Sequence, residues 1–350
     1  YALGFVSFFT DISSDMIYPV LPFFLSSVLG AGTVAIGLIE GVAESTASIM
    51  NLFSGFLSDR LGKRKGLALF GYALAALTKP AIGLASVWQH VFAARFVDRL
   101  GKGIRTSPRD ALVAQEVSKE VRGKAFGIQR ALDHAGAVIG PLATIAILYL
   151  LGSPIIGAKA VEIPEANYRT LFSIAFIPGA ISVGLLWLVV KEKAQQKPKG
   201  KKRLPAISLG TLKGPFGIYC LVATLFAVGN SSNVFLLLRA ENLGLSIGLV
   251  PAGYLLLYLG AALSSTPAGI LSDRFGRRAL LIIGYLVSAG VYFGFALAQG
   301  ITAAWILFGV YGIYIGLTDG LQRAYASDLA PREIWGTALG TFNTLVGLAL

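Results

Sequence analysis

Long apolar stretches follow one another along the whole chain, separated by short polar segments. A helix crosses a bilayer with about 20 mainly apolar residues, because every backbone N–H and C=O must be paired inside the segment. The pattern predicts eleven membrane-spanning helices and an all-α integral membrane protein. The predicted spans lie at about 1–29, 33–58, 66–87, 88–112, 123–151, 168–190, 213–238, 246–271, 279–299, 301–322 and 335–350. The first stretch has no charged leader or cleavage site, so we expect it to be a retained span.

Composition supports this reading. Hydrophobic residues make up 55% of the 350 residues and charged residues 14%, whereas soluble domains carry about 25% charged residues. The single cysteine, Cys220, leaves no disulfide framework and no multi-cysteine metal site. The phosphate-binding pattern G-x-x-x-x-G-K-[ST] does not occur, so we expect no cofactor and an ion gradient, not a nucleotide, as the energy source.

The net charge of +12 comes from Lys and Arg that concentrate in alternate connections between the predicted spans. This is the pattern of the positive-inside rule, and it argues against nucleic acid as a partner. It predicts that the beginning of the chain and the segment 191–212 are cytoplasmic, and we expect a bacterial inner membrane. The segment 191–212 is the only long polar run and predicts a basic linker between two domains, 1–190 and 213–350.

The two domains are internal repeats. The segment Gly55-Phe-Leu-Ser-Asp59-Arg60-Leu-Gly62-Lys63-Arg64 recurs 214 residues later as Gly269-Ile-Leu-Ser-Asp273-Arg274-Phe-Gly276-Arg277-Arg278. A second echo, Lys119–Gly127 against Arg332–Gly340, has an offset of 213. We therefore predict two pseudo-symmetric six-helix bundles. We expect that the last helix of the second bundle, the twelfth span overall, is not contained in the 350 residues.

This repeated loop, G-x-x-x-D-R-x-G-[KR]-[KR], resembles the signature loop of the major facilitator superfamily, and the resemblance extends over essentially the whole chain. It implies transport by alternating access, with a small-molecule substrate bound near the middle of the membrane. In this family the loop would act as a conformational latch between helices. The implied latch residues are Gly55, Asp59, Arg60, Gly62, Arg64, Asp110, Gly269, Asp273, Arg274, Gly276 and Arg277.

Two further stretches resemble elements of the drug/proton antiporter branch. Arg99-Leu-Gly-Lys-Gly103 matches its R-x-x-x-G element, which assigns the buried arginine of that element to Arg99. The residues Gly136, Gly140 and Pro141 match the beginning of its G-x-x-x-G-P element, and the resemblance implies a helix bend there. This resemblance supplies the expected direction of transport, which is export.

Ionisable residues inside predicted spans are costly and indicate functional positions. Asp11 and Asp15 are four residues apart, as are Glu40 and Glu44, so each pair shares one helix face. Neighbouring carboxylates do not ionise together easily, and this favours proton exchange. We prefer Asp15 and Glu44 as proton or cation sites, while Asp11 is an alternative latch residue. Asp133 and His134 complete the set of candidates.

The buried basic residues have two possible roles. Lys79, Arg95, Arg99 and Arg130 could contact an anionic substrate group or neutralise the carboxylates; for Lys79 we expect Glu44 or Asp15 as the ion-pair partner, and for Arg130 we expect Asp133. Further residues are expected to line the substrate cavity. They are Tyr18, Asn230, Asn233, Tyr254, Tyr258 and Asp319.

The leading hypothesis is proton-coupled export of a small amphiphilic or cationic organic compound by a monomer. Two alternatives stay open: an organic-anion carrier that uses Lys79, Arg95 and Arg99, or a divalent-metal exporter that uses Asp11, Asp15 and His134, although no metal site is assigned. Enzymes are disfavoured, since neither a Ser/His/Asp arrangement nor H-E-x-x-H is found.

Overall fold

The computed structural model describes residues 1–153, 163–191, 214–230 and 250–349, together with Leu236, Arg239 and Leu243. Throughout this part of the chain the regular elements are helical, which confirms the all-α prediction. The helices are α1 (Ala2–Asp15), α2 (Leu21–Phe23), α3 (Thr33–Leu61), α4 (Lys65–Gly83), α5 (Trp88–Glu116), α6 (Arg122–Leu150), α7 (Glu165–Leu188), α8 (Pro215–Gly229), α9 (Val250–Phe275), α10 (Arg277–Leu297), α11 (Ile301–Leu329) and α12 (Trp335–Ala349).

Among the described residues, six helical segments are long and apolar enough to cross a membrane. They lie in α4, α6, α7, α9, α10 and α11. The charged helix α5 is not among them, because it carries Arg95, Asp98, Arg99 and Lys102. The predicted span 1–29 is interrupted: α1 ends at Asp15, and the chain turns before α2 and a π-helical turn over Phe24–Val28. Pro19 lies in this interruption, where it has no amide hydrogen for a helical bond.

The helices form two pseudo-symmetric bundles. In the first bundle α1 packs on α6 and α7, and α5 packs on α3 and α4; in the second, α11 packs on α9 and α10. Two contacts between the bundles correspond to each other through the repeat, because α6 packs on α9 and α3 packs on α12. The expected linker, 191–212, lies outside the described residues except for Lys191.

Glycines allow the two bundles to approach each other closely. The carbonyl oxygen of Gly336 occupies the place where a Cβ of Gly55 would lie, and that of Gly123 does the same at Gly269. Any larger side chain would therefore separate α3 from α12, or α6 from α9.

A second glycine contact lies within the first bundle. A Cβ on Gly140 of α6 would lie 2.9 Å from the Cβ of Asp15 on α1. We predict that Gly140→Ala lowers the free energy of unfolding by about 1–3 kcal/mol, because the added methyl overpacks this contact. A denaturation series of the purified protein in detergent measures this.

The matched control is Gly41→Ala in α3, where a Cβ would meet no atom within 4 Å among the described residues. This variant should be at least as stable as the parent. Equal losses at the two positions would contradict the packing argument.

Candidate functional site

The connections α3–α4, α5–α6, α9–α10 and α11–α12 lie at one end of the molecule, which we call the basic end. There, Asp59 at the end of α3 accepts hydrogen bonds from the beginning of α12. Its Oδ1 accepts from the Gly336 amide at 3.1 Å, and its Oδ2 accepts from the Thr337 amide at 2.7 Å and from Thr337 Oγ1 at 2.8 Å. Arg64 donates to Asp59 at 3.0 Å, and both side chains are buried. A carboxylate at a helix N-terminus satisfies free amides and complements the helix dipole.

The second repeat makes the corresponding contact. Asp273 accepts hydrogen bonds from the backbone amides of Gly123 and Lys124, at 2.9 and 2.8 Å, where α6 begins. Arg277 donates to Asp273 at 3.0 Å, as Arg64 does to Asp59. Each bundle therefore holds a helix N-terminus of the other one through an aspartate of the repeated loop.

Among the other residues of the repeated loop are two glycines that form turns and two arginines that are exposed to solvent. Gly62 and Gly276 adopt φ values of 63° and 89°, which a non-glycine residue rarely adopts, so they allow the turns after α3 and α9. Arg60 and Arg274 are exposed. Within the described residues they form no ion pair with Asp59 or Asp273, whereas Arg64 and Arg277 do.

Two partners of Arg64 and Arg277 are not among the residues expected from the sequence. Arg64 donates to Gln115 Oε1 at 2.9 Å, and Asp328 pairs with both Arg277 and Arg122. Gln115 and Asp328 are 213 residues apart, which is the offset of the second sequence echo. This correspondence is the feature of the sequence that could have identified them as equivalent positions.

A network of ion pairs joins α3, α4 and α5. Arg95 donates to Glu40 Oε1 from Nε at 3.1 Å and from Nη2 at 2.8 Å. Arg99 lies 3.2 Å from Glu44. Lys102 is 3.8 Å from the other oxygen of Glu44. Glu44, a preferred proton site in the sequence analysis, is therefore placed between two cations.

The centre of this network is Asp98. Lys79 lies 2.9 Å from Asp98 Oδ1, and Arg95 lies 3.4 Å from Oδ2. The expected pairing of Lys79 with Glu44 or Asp15 is wrong: its other hydrogen-bond partner is Ser14 of α1, at 3.2 Å. The reason is that α4 packs directly on α5, so the nearest carboxylate comes from that helix.

Asp11 and Asp15 differ from the other carboxylates in the spans. Both are half-buried on α1, and a Cβ on Gly136 or Gly140 would lie 3.0 or 2.9 Å from their respective Cβ atoms. Within the described residues neither carboxylate has a cation within 4 Å, although Glu40, Glu44, Asp98, Asp110, Asp133 and Asp319 all do. These two groups are therefore the ones that can change their protonation without breaking an ion pair.

A second network of charges joins the two bundles. Arg109 pairs with Asp110 at 2.8 Å, Arg130 with Asp133 at 2.7 Å, and on α11 Arg323 pairs with Asp319 at 3.0 Å. Contacts between the bundles connect these pairs. They are Arg323 with Asp110 at 3.1 Å, Arg130 with Asp319 at 3.7 Å, and His134 with Asp319 at 3.6 Å.

Of the residues expected to line the cavity, Asn230 lies in a cluster of tyrosines in the second bundle. Asn230 donates to the hydroxyl of Tyr314 and accepts from those of Tyr292 and Tyr311, each at 3.2 Å. Tyr258 lies against His134, with ring centroids 5.8 Å apart. Tyr18 is exposed, while Asn233 and the side chain of Tyr254 lie outside the described residues.

Two further expectations concern α6 and metal binding. The helix α6 continues through Pro141, and Gly136 and Gly140 form its contact with α1; the bend remains a prediction. Among the residues that the structure describes, no group of three or more His, Cys, Asp and Glu side chains could hold a metal ion. His134 faces Asp319 instead of joining Asp11 and Asp15 in such a group.

Two pseudo-symmetric helical bundles, joined by reciprocal aspartate contacts and carrying buried charges, are typical of membrane transporters. The family model described as Major Facilitator Superfamily matches residues 3–350, and the chain belongs to this superfamily.

Similar proteins agree with this assignment. The chain is 36% identical, over 99% of its length and 84% of the relative, to an uncharacterized MFS-type transporter of Methanocaldococcus jannaschii. It is 25% identical to the multi-drug resistance efflux pump PmrA of Streptococcus pneumoniae, over 94% of the chain and 80% of the pump. The crystal structure of the E. coli fucose:proton symporter FucP has the same fold, with a TM-score of 0.81 at 14% identity over 99% of this chain and 88% of that one.

The buried pair Lys79–Asp98 provides a test of the network around α5. We predict that Asp98→Asn alone lowers the free energy of unfolding by about 3–5 kcal/mol, because it leaves buried cations without their carboxylate. The double variant Lys79→Met/Asp98→Asn should be clearly more stable than the single variant. Denaturation of the four proteins in detergent gives the coupling energy, and a coupling near zero would contradict the pairing.

The contact of Asp59 provides a second test. Asp59→Asn removes charge-assisted hydrogen bonds that contribute roughly 1.5–3 kcal/mol each, so we predict that α3 and α12 separate more often at the basic end. Spin labels on exposed positions 63 and 331 report this as a longer distance distribution. Arg60→Gln, a change in the same loop at an exposed residue, should leave the distances unchanged.

Proposed function

We propose that the protein exports a small amphiphilic or cationic organic compound in exchange for protons. In this proposal the basic end faces the cytoplasm, as the positive-inside rule expects. The similarity to a multi-drug resistance efflux pump supports the substrate class and the direction of transport.

The observation that carries the proposal is the state of Asp15. This carboxyl group lies in a helix of the first bundle and has no cation within 4 Å among the described residues, whereas Glu44 lies between Arg99 and Lys102. An exchanging proton must leave and return during each cycle. A carboxyl group that holds no ion pair meets this need at the lowest cost, because a paired one must first give up its cation.

The position of Asp15 suits coupling as well. It lies where α1 touches α6 at Gly140, and α6 in turn packs on α9 and α11 of the second bundle. A change of charge at Asp15 therefore acts on a helix that connects the two bundles. Asp11, one turn away on the same face, is the second proton site of the proposal.

The decisive experiment uses purified protein in liposomes that contain a pH-sensitive dye and hold an imposed proton gradient. We predict that tetraphenylphosphonium, a lipophilic organic cation, dissipates the gradient in the parent. Asp15→Asn should reduce this proton flux by about 10²-fold or more, because an amide cannot take up a proton. The matched control is Glu165→Gln, which removes an exposed carboxylate paired with Arg169 and should have no effect.

Other probes in the same liposomes decide between the remaining hypotheses. Dissipation by organic acids alone would replace the proposal with an anion carrier, and dissipation by Fe(II) or Mn(II) alone would replace it with a metal exporter. Substrate flux without proton movement for every probe would contradict proton coupling and identify a uniporter.

A further inference from the structure

A stripe of polar and small residues runs along the contact between α1 and α6, and we call it the α1–α6 seam. On α1 it consists of Gly4, Ser7, Asp11 and Asp15; on α6 it consists of Gln129, Asp133, Gly136 and Gly140. Their spacing of three or four residues places each set on one helix face.

The two faces meet in register. A Cβ on Gly4 would lie 2.6 Å from Cδ1 of Leu132 and 3.8 Å from Cα of Gln129, and a Cβ on Gly136 would lie 3.0 Å from Cβ of Asp11. One turn further, Gly140 meets Asp15. The seam therefore leads from Gln129, two turns into α6, to the proposed proton sites.

Polar atoms in this seam lack partners. Gln129 is 2% exposed, and neither its Nε2 nor its Oε1 has a hydrogen-bond partner within the described residues. The same holds for Oδ1 of Asp133, which is one turn further along α6 and 5% exposed. A buried polar atom left unsatisfied costs about 1–3 kcal/mol, and ordered water is the usual partner where protein groups supply none.

The end of the seam that lies nearest the basic end opens into a cavity. This cavity has a volume of about 580 Å³, and most of its lining is apolar. Its polar lining includes Gln129 and, at the basic end, Glu116, Lys124 and Lys191. The amide of Gln129 is the polar group that the seam contributes to this cavity, and Asp133 lies one helical turn further along α6. The volume is large enough for a column of several water molecules, each of which occupies about 30 Å³ in the liquid.

Cations flank the inner part of the seam. The charged groups that face Asp11 are Asp15, Asp133, Arg105 and Arg109. Arg109 also donates to Ser7 at 3.1 Å and lies 3.9 Å from Asp133, which pairs with Arg130 as well. These guanidinium groups oppose the passage of an excess proton while Asp133 holds its ion pairs. In this arrangement of charges, protons therefore do not leak along the seam and dissipate the gradient.

We propose that a hydrated route for protons runs beside the α1–α6 seam, between Asp11 and the basic end, with Gln129 as the residue that positions water at its mouth. The inference rests on the proposed function, since it describes where the exchanged proton goes. The O–H bond of the Asp11 carboxyl breaks, the proton passes along water past Asp133 and Gln129 to the aqueous phase, and a carboxylate remains. The whole route lies inside the first bundle, along the contact between α1 and α6.

Water access is tested first, by a measurement that needs no substrate. In a Cys220→Ala background, Gln129→Cys in liposomes should react with a charged, membrane-impermeant methanethiosulfonate. Lys63→Cys, an exposed position of the basic end, gives the fraction of molecules whose basic end faces the reagent. The control is Phe126→Cys, which is 0% exposed in an apolar core although it lies nearer to the beginning of α6.

The expected result is that Gln129→Cys reacts to the extent of Lys63→Cys while Phe126→Cys does not react. An unreactive Gln129→Cys overturns the hydrated route, whether or not the protein moves protons. This outcome is therefore distinct from a failure of the proposed function, which appears as absent proton movement in the parent.

Proton transfer is tested second, with tetraphenylphosphonium as the probe. Gln129→Leu keeps the size of the side chain but removes its hydrogen bonds, so it should lower the ratio of gradient-driven flux to substrate exchange by about tenfold. Gln129→Asn, which keeps the amide, should restore most of that ratio. Equal loss of flux and exchange in Gln129→Leu would assign Gln129 a purely structural role and overturn the inference.

Discussion

The need to neutralise charge inside the membrane determines how the first bundle is built. A lone ion in a medium of low polarity costs several kcal/mol, and losing one partner of a buried pair is strongly destabilising. Helix α5 carries Arg95, Arg99 and Lys102 through the bundle, and it is stable there because α3 supplies Glu40 and Glu44. The relative placement of these helices follows from charge pairing as much as from apolar packing.

The same constraint takes a different form where the bundles meet. Asp110 has Arg109 as a partner in its own bundle and Arg323 in the other, and Asp319 has Arg323 and Arg130 in the same way. Both carboxylates thus keep a cation in their own bundle. Such a network joins the bundles without depending on their contact for neutrality, so separating the bundles there would leave no buried carboxylate of the network without a cation.

At the basic end the bundles are joined by backbone groups instead. Asp59 and Asp273 each bind the free amides of a helix that belongs to the other bundle, and glycines bring the helices close enough for these bonds. Because the repeated loop is the same in both halves, two equivalent contacts arise from one sequence motif. The two helices can approach each other this closely beside each aspartate because the facing residues are small.

The sequence by itself determined the helical class, the repeat and the set of buried charged residues, because hydropathy and residue spacing are local properties. The resemblance of the repeated loop also implied that Asp59 and Asp273 belong to a conformational latch. Only the tertiary structure decided which charges meet: Lys79 pairs with Asp98, Glu44 lies between two cations, and Asp15 has no cation within 4 Å in the part of the chain that the structure describes. Partners in such networks are brought together by helix packing over long sequence separations, and a one-dimensional pattern does not specify the rotation of one helix against another.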